Sequence, residues 1–371
     1  MGLRILFVTG TSTGGAARST DELGARLEQR GHEVASLVRW RRQPRRDQLE
    51  PPTRWQAVEH RATEQLRLAR SLLPLPPQPV PGSAYRAWRS HSPEGCLPMV
   101  CGQFRPDVVV VSTVGPSAWR AIRRHLVRTR TPCALSLSTE GAFRRLAEAP
   151  LPELVIANAI AHAEVVRSLG VEPVVTIPSL VEIGAHRVES SRERALFVNP
   201  IARHGLAVVL GIARERPEVP VTIHESAALD PRDLARLRTA IAPLPNVELR
   251  RRVADPGDLY RDARVLLVPY QVSIRPRVVL EAQSNGIPVL ASDLPALREC
   301  LGPGGLLVDP AASPAAWAEA LDQLWDPPGG RYETWSASAV RHSRRAEVDP
   351  EVIVDAFEAE MMQLAGRPVR R

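Results

Sequence analysis

The residues best placed for chemistry fall in one stretch, Val265 to Asp309, which reads VLLVPYQVSIRPRVVLEAQSNGIPVLASDLPALRECLGPGGLLVD. A polar loop, Gln271 to Arg277, leads into a helix with one acidic side chain, Glu281, about one turn from its start. A carboxylate there can face a ligand held at the helix start, where free backbone N–H groups also suit a phosphate. The alternative is a helix-capping or solvated carboxylate in an ordinary α/β domain. A second candidate is the loop holding Gly10, Gly14 and Gly15, which lets backbone approach a phosphate between the first strand and first helix. Its spacing is not GxGxxG, and a tight turn needing positive φ accounts for it equally well. All 48 basic residues are arginine, so any cation at a phosphate site is arginine or histidine and Schiff-base chemistry is excluded.

The elements that must position these residues are short apolar strands alternating with helices. Val265 to Val268 reads as a buried parallel strand, followed by a helix turning Val278, Val279 and Ala282 inward until Gly286 stops it. Ile287 to Ala291 is a second strand, Pro295 to Cys300 a short helix and Gly304 to Val308 a third strand. Such units want right-handed crossovers and a parallel sheet, with ligands outside the carboxyl ends of the strands, where Gln271 to Arg277 and Ser292 to Asp293 fall.

The first half follows the same logic, from strand Leu3 to Thr9 through helix Ala16 to Arg30, strand Glu33 to Val38, and the runs Asp107 to Ser112, Cys133 to Ser138 and Leu154 to Ala157. Trp40 to Pro81 breaks the pattern, with a basic run from Arg39 to Arg46, two proline clusters and one helix from Arg61 to Leu73. It reads as an insertion, taken over residues 40–105 as a whole, whose arginines form a solvated face or touch a membrane surface. Val181 to Arg194 is polar without a core pattern and marks the hinge. The expected organisation is a Rossmann-like domain over 1–185, a second over 186–350, and a helix over 351–371.

At 371 residues and 44% apolar composition, the chain can build two cores. The net charge of +7 suits an anionic partner, a sugar nucleotide, a nucleic acid or a membrane surface. Nucleic acid is not expected, since aromatics are sparse and the arginines are scattered. Four cysteines without a CxxC pair argue against a metal site and a disulfide framework. With no apolar run long enough for a span and no secretory signal, a cytoplasmic enzyme is expected, with at most peripheral contact at the inner membrane face.

The segment LEAQSNGIPVLASD, with the paired glycine after the first strand, resembles the group 1, family four nucleotide-sugar glycosyltransferases of GT-B fold. The resemblance implies an α/β fold of two Rossmann-like domains whose parallel sheets face across a cleft, with the last helix crossing back to the first domain. It implies transfer of a sugar from a nucleotide-sugar co-substrate to a small-molecule or lipid-linked acceptor, with retention and with neither metal nor cofactor. Glu281 would hold the nucleotide ribose, and Gly14 and Gly15 would approach the donor diphosphate.

The family pattern is incomplete. The usual arginine and lysine after the first strand of the second domain are replaced by Pro200 and His204, so Arg203 beside His204 would hold the β-phosphate, or Arg275 and Arg277 would compensate. Alternatively Arg203 is solvated and His204 a cap contact. Ser273 stands where a second glutamate contacts the donor sugar, and Ser138, Thr139 and Glu140 stand where a histidine faces it. Hydroxyls donate and accept but bring no carboxylate charge, which Glu140 would supply. Glu225 would take a sugar or ribose hydroxyl, and Val253 lies where the base rests on backbone. These losses leave an alternative from another class, a catalytically degenerate GT-B homologue that binds a sugar nucleotide or a partner. A two-domain epimerase shares the architecture, but its acid–base residues cannot be placed.

Overall fold

The structure is a computed structural model describing residues 2–11, 14–40, 76–138, 150–225, 229, 231–251, 253, 255–326 and 331–367. These form two compact units, one running to Leu180 and resuming at Pro350, the other spanning Val181 to Asp349.

In chain order the first unit contains β1 (Arg4–Thr9), α1 (Gly15–Gln29), β2 (Glu33–Arg39), β3 (Gln78–Pro79), β4 (Arg86–Ser90), α2 (Pro93–Phe104), β5 (Val108–Ser112), α3 (Pro116–Thr129), β6 (Cys133–Leu137), β7 (Leu154–Ala157), α4 (Ile160–Ser168) and β8 (Val174–Thr176). Its described strands make a sheet in the order β3-β4-β2-β1-β5-β6-β7-β8, parallel except between β3 and β4. Strands covered on both faces must be apolar throughout rather than alternating. Accordingly Leu6 and Val8 of β1 enter one core, while Ile5 and Phe7 enter the other.

The second unit holds β9 (Arg194–Val198), α5 (Leu206–Glu215), β10 (Val221–His224), α6 (Pro231–Ile241), β11 (Val247–Arg250), β12 (Ala263–Val268), α7 (Arg277–Ser284), β13 (Val289–Ser292), α8 (Pro295–Leu301), β14 (Gly305–Val308), α9 (Pro314–Trp325) and α10 (Tyr332–Ser343). The described strands form a parallel sheet ordered β11-β10-β9-β12-β13-β14, the doubly wound dinucleotide-fold order. The strand order reverses between β9 and β12. The crevice at their carboxyl ends is where such folds bind ligands.

The final helix, α11 (Pro350–Leu364), belongs to the first unit. It sends Ile353, Val354, Phe357, Met361 and Met362 into the core around Ile5 and Phe7, with Phe357 stacked on Phe7 at 6.0 Å.

Two expectations need correction. Residues 40–105 are not all insertion, because β4 pairs in parallel with β2 and α2 buries Leu97, Val100 and Phe104 in the core. Pro98 inside the helix and the prolines before it hide this periodicity. Yet Ser92, accepting the Gly95 N–H at 3.3 Å, and Pro93 at the first helical position form a readable helix start. The helix expected over 61–73 and the basic run beyond Trp40 lie outside the described residues. The linker from Val181 also has a core of its own, since Val181 packs with Leu280, Val348 and Ile183, and His186 is buried.

Candidate functional site

The crevice of the second unit is built by the loops after β9 and β12. Gly205, at φ +83°, lies so close to β12's end that an added Cβ would stand 1.9 Å from the Pro269 carbonyl oxygen. Only glycine meets both conditions. The contact brings Gln271 N–H to the Arg203 carbonyl at 2.9 Å and stacks His204 on Tyr270, rings 4.2 Å apart and 14° from parallel. Asn199, just beyond β9, holds a left-handed φ of 61°, which a non-glycine residue keeps only where its surroundings fix it.

His204 is buried, and this burial lowers its pKa to about 4, against the pull of its hydrogen bond to the Asn199 carbonyl and with further lowering from Arg203. The ring is therefore neutral near pH 7. Nδ1 donates to the Asn199 carbonyl at 3.1 Å, so the proton sits there and Nε2 keeps a lone pair. In this state His204 brings no positive charge to replace a lysine. Arg203, next to it, is exposed.

Glu281 is neither a solvated carboxylate nor a helix cap, being only 2% exposed. Tyr260 Oη donates to its Oε2 at 2.5 Å, Arg277 Nε donates to Oε1 at 3.1 Å, and His186 Nε2 stands 3.5 Å from Oε1. The four-residue spacing of Arg277 and Glu281 puts both on one helix face, a relation readable from sequence. Tyr260 and His186 are distant in sequence, and no local pattern points to them.

The remaining predicted residues separate. Arg275 turns to the acidic groups Glu347, at 3.2 Å, and Glu299, at 3.9 Å. With Arg277 on Glu281, both arginines expected to compensate are engaged within the unit. Ser273 Oγ accepts the Ala296 N–H at 3.2 Å and serves the start of α8. Glu225 is buried; its Oε1 accepts the Leu229 N–H at 2.6 Å and its Oε2 lies 3.7 Å from Arg251 Nε. Val253 is half-buried. In the first unit Gly14, at φ +90°, and Gly15 are exposed at the start of α1, which no side chain caps among the described residues. Ser138 is half-buried just after β6, and Thr139 and Glu140 lie outside the described residues.

Two parallel-sheet units of this kind define the GT-B class of glycosyltransferase folds, and solved structures of that class match nearly the full chain. Sucrose-phosphate synthase from Thermosynechococcus elongatus aligns over 98% of this chain and 99% of its own, with a TM-score of 0.74 and 15% identity. Anabaena Alr3699/HepE in complex with UDP-glucose aligns over 97% and 99%, with a TM-score of 0.72 and 15% identity. A glycosyltransferase from Rickettsia africae aligns over 98% of each chain, at 0.68 and 12%. Residues 13–184 match Glycosyltransferase Family 4 and residues 214–326 match Glycosyl transferases group 1. The chain belongs to this group of glycosyltransferases. No curated protein sequence matches it. Among the described residues no helix is long and apolar enough to cross a membrane.

Proposed function

We propose that this glycosyltransferase takes its sugar from a nucleoside-diphosphate sugar held at the carboxyl ends of β9 and β12, and passes it to an acceptor hydroxyl with retention and without a metal. The observation that carries this reading is the glycine-closed crevice at the reversal of strand order, with Arg203 exposed at its edge. The UDP and UDP-glucose complexes of Anabaena HepE support the donor class.

In this reading Arg203 binds the β-phosphate through paired N–H groups and stabilises the charge that grows as the glycosidic C–O bond breaks. Glu281 takes a ribose hydroxyl; a carboxylate offers about four acceptor positions, so one remains beside Tyr260, Arg277 and His186. Glu225 and the backbone near Val253 hold the nucleoside. Ser273, in the loop after β12, is on the side of the sugar. The acceptor oxygen bonds to the anomeric carbon on the face the diphosphate leaves, and its proton passes to a departing phosphate oxygen. No covalent nucleophile is needed, and the load falls on transition-state electrostatics.

One observation favours a second reading, binding without transfer. Arg275 and Arg277 are engaged with carboxylates, His204 is neutral, and Ser273 holds α8, so that of these residues and Arg203 only Arg203 brings a disengaged charge to the diphosphate.

The deciding experiment is a thermal-shift screen against UDP, GDP, ADP, dTDP and their sugar conjugates, followed by assays for acceptor-dependent release of the nucleoside diphosphate. Arg203→Ala is the informative variant, because Glu281→Ala would strand Arg277 and lower stability by itself. A shift with one nucleotide, reduced in Arg203→Ala and followed by acceptor-dependent release, supports the transferase. A shift without release with any acceptor supports the binding reading, and no shift at millimolar nucleotide rejects both.

A further inference from the structure

The second unit has another cleft, about 820 Å³, at the far end of α7 from the crevice. Since α7 runs back toward the amino-terminal edge of the sheet, its last residues and the cap Asn285 lie opposite the candidate donor loops. Arg187, Ser190 and Arg192 of the linker, Asn285 at the end of α7, and Ser336 and Arg344 of α10 and its cap line it.

Three guanidinium groups face one carboxylate, Glu189, so the lining is net positive. Arg187 and Arg344 are exposed, and among the described residues neither meets a carboxylate. Arg192 is fixed by pairing with Glu333 and by lying 5.0 Å over the Tyr332 ring. Its backbone holds a left-handed φ of 60°, with its N–H on Ser190 Oγ at 3.2 Å, while that hydroxyl donates to the Ala263 carbonyl at 2.8 Å. Asn285 clamps the same linker, donating to the His186 and Glu281 carbonyls, each at 2.9 Å, and accepting the Val188 N–H at 2.8 Å. Arg192 keeps this conformation because its surroundings fix it. The wall is preorganised, and the volume suits a small molecule.

Val188 and Val340 are the apolar side chains of the lining, so a hydrophobic ligand gains little. The arginines of the lining match a phosphate. The lone pairs left on the serine hydroxyls and on Asn285 Oδ1 can accept from hydroxyls. We propose that this cleft binds a sugar phosphate, a phosphate monoester on a polyhydroxylated small molecule, separately from the donor site. The chain enters the second unit through Val181 to Arg192 and leaves it just beyond Arg344, so the ligand would tie together both passes of the backbone. The proposal rests on this unit alone and stands or falls independently of the transfer reading.

The test is calorimetric titration of the full chain with glucose 6-phosphate, glucose and inorganic phosphate, with and without saturating UDP. Glucose 6-phosphate is expected to bind saturably, at least tenfold more tightly than inorganic phosphate, with glucose silent and UDP without effect. Arg187→Glu with Arg344→Glu should weaken it at least tenfold at unchanged melting temperature. The double glutamine variant replaces it should that protein melt early. Absence of saturable binding, displacement by UDP, or equal affinity in the variant overturns the proposal. Equal affinity for glucose 6-phosphate and inorganic phosphate removes the sugar from it.

Discussion

Both units close the reversal point of their sheet by pressing a glycine against backbone. In the first, Gly10 donates to the Ser112 carbonyl at 3.0 Å and to Thr113 Oγ1 at 3.1 Å, and an added Cβ would stand 2.1 Å from the Thr113 carbonyl oxygen. In the second, Gly205 meets Pro269 in the same way. Each crevice also has a left-handed non-glycine residue at a strand end, Thr113 after β5 and Asn199 after β9. The backbone solution is shared, but the side chains are not. Gly10, Thr11 and Thr113 bring no charge, whereas the second crevice carries Arg203, His204, Tyr270 and Gln271. The fold makes the crevice twice, and side chains decide which one can hold a diphosphate.

The sharpest way to break the comparison is substitution of the two glycines. Gly205→Ala meets both a positive φ and the Pro269 carbonyl, and should cost about 4 kcal/mol by denaturant unfolding. Gly10→Ala meets the carbonyl without the positive φ and should cost about 1 kcal/mol less. Equal losses would mean that Gly205's conformation is relieved by movement of its loop. Next in size, Glu281→Leu leaves Arg277 buried without its carboxylate and should cost about 3 kcal/mol, most of it recovered when Arg277→Met is added.

Smaller effects separate charge from packing. Arg203→Ala should leave the melting temperature within about 1 degree, as exposed substitutions do, while weakening nucleotide binding by about tenfold in calorimetry. Binding unchanged in this variant would move the diphosphate away from the β9 loop. Smallest is the pH effect of His204. Its folded pKa, about 4, lies below the ordinary value of 6.5, so the unfolded chain binds the proton first. Stability from this group is present above about pH 6.5 and is lost as pH falls toward 4. Burial also lowers the pKa of His224 and His342, so unfolding of His204→Gln, compared with wild type at pH 7 and pH 5, isolates the contribution.

Much of this architecture is legible in the sequence because strands covered on both faces must be apolar runs, and LLV and VVVV segments admit few other readings. The helix bounds of α9 and α11 follow from Pro314 and Pro350 at their first positions. β4 escapes because RAWRS, near the sheet's edge, has little apolar content to betray it. In the site, the identity of Glu281 is readable but its surroundings are not. Tyr260 lies 21 residues away and His186 approaches from the linker, so their meeting is a product of tertiary packing. The charge of His204 is equally hidden, since it depends on burial and on a carbonyl that only the turn at Asn199 presents.

The membership of α11 in the first unit sets an order of assembly during synthesis. The elements of the second unit emerge one after another and can close their core before the ribosome reaches Pro350. The first unit, begun earlier, waits for Phe357 and Met361 to complete the core around Ile5 and Phe7. An apolar face left open while translation continues is the kind of surface a chaperone would cover.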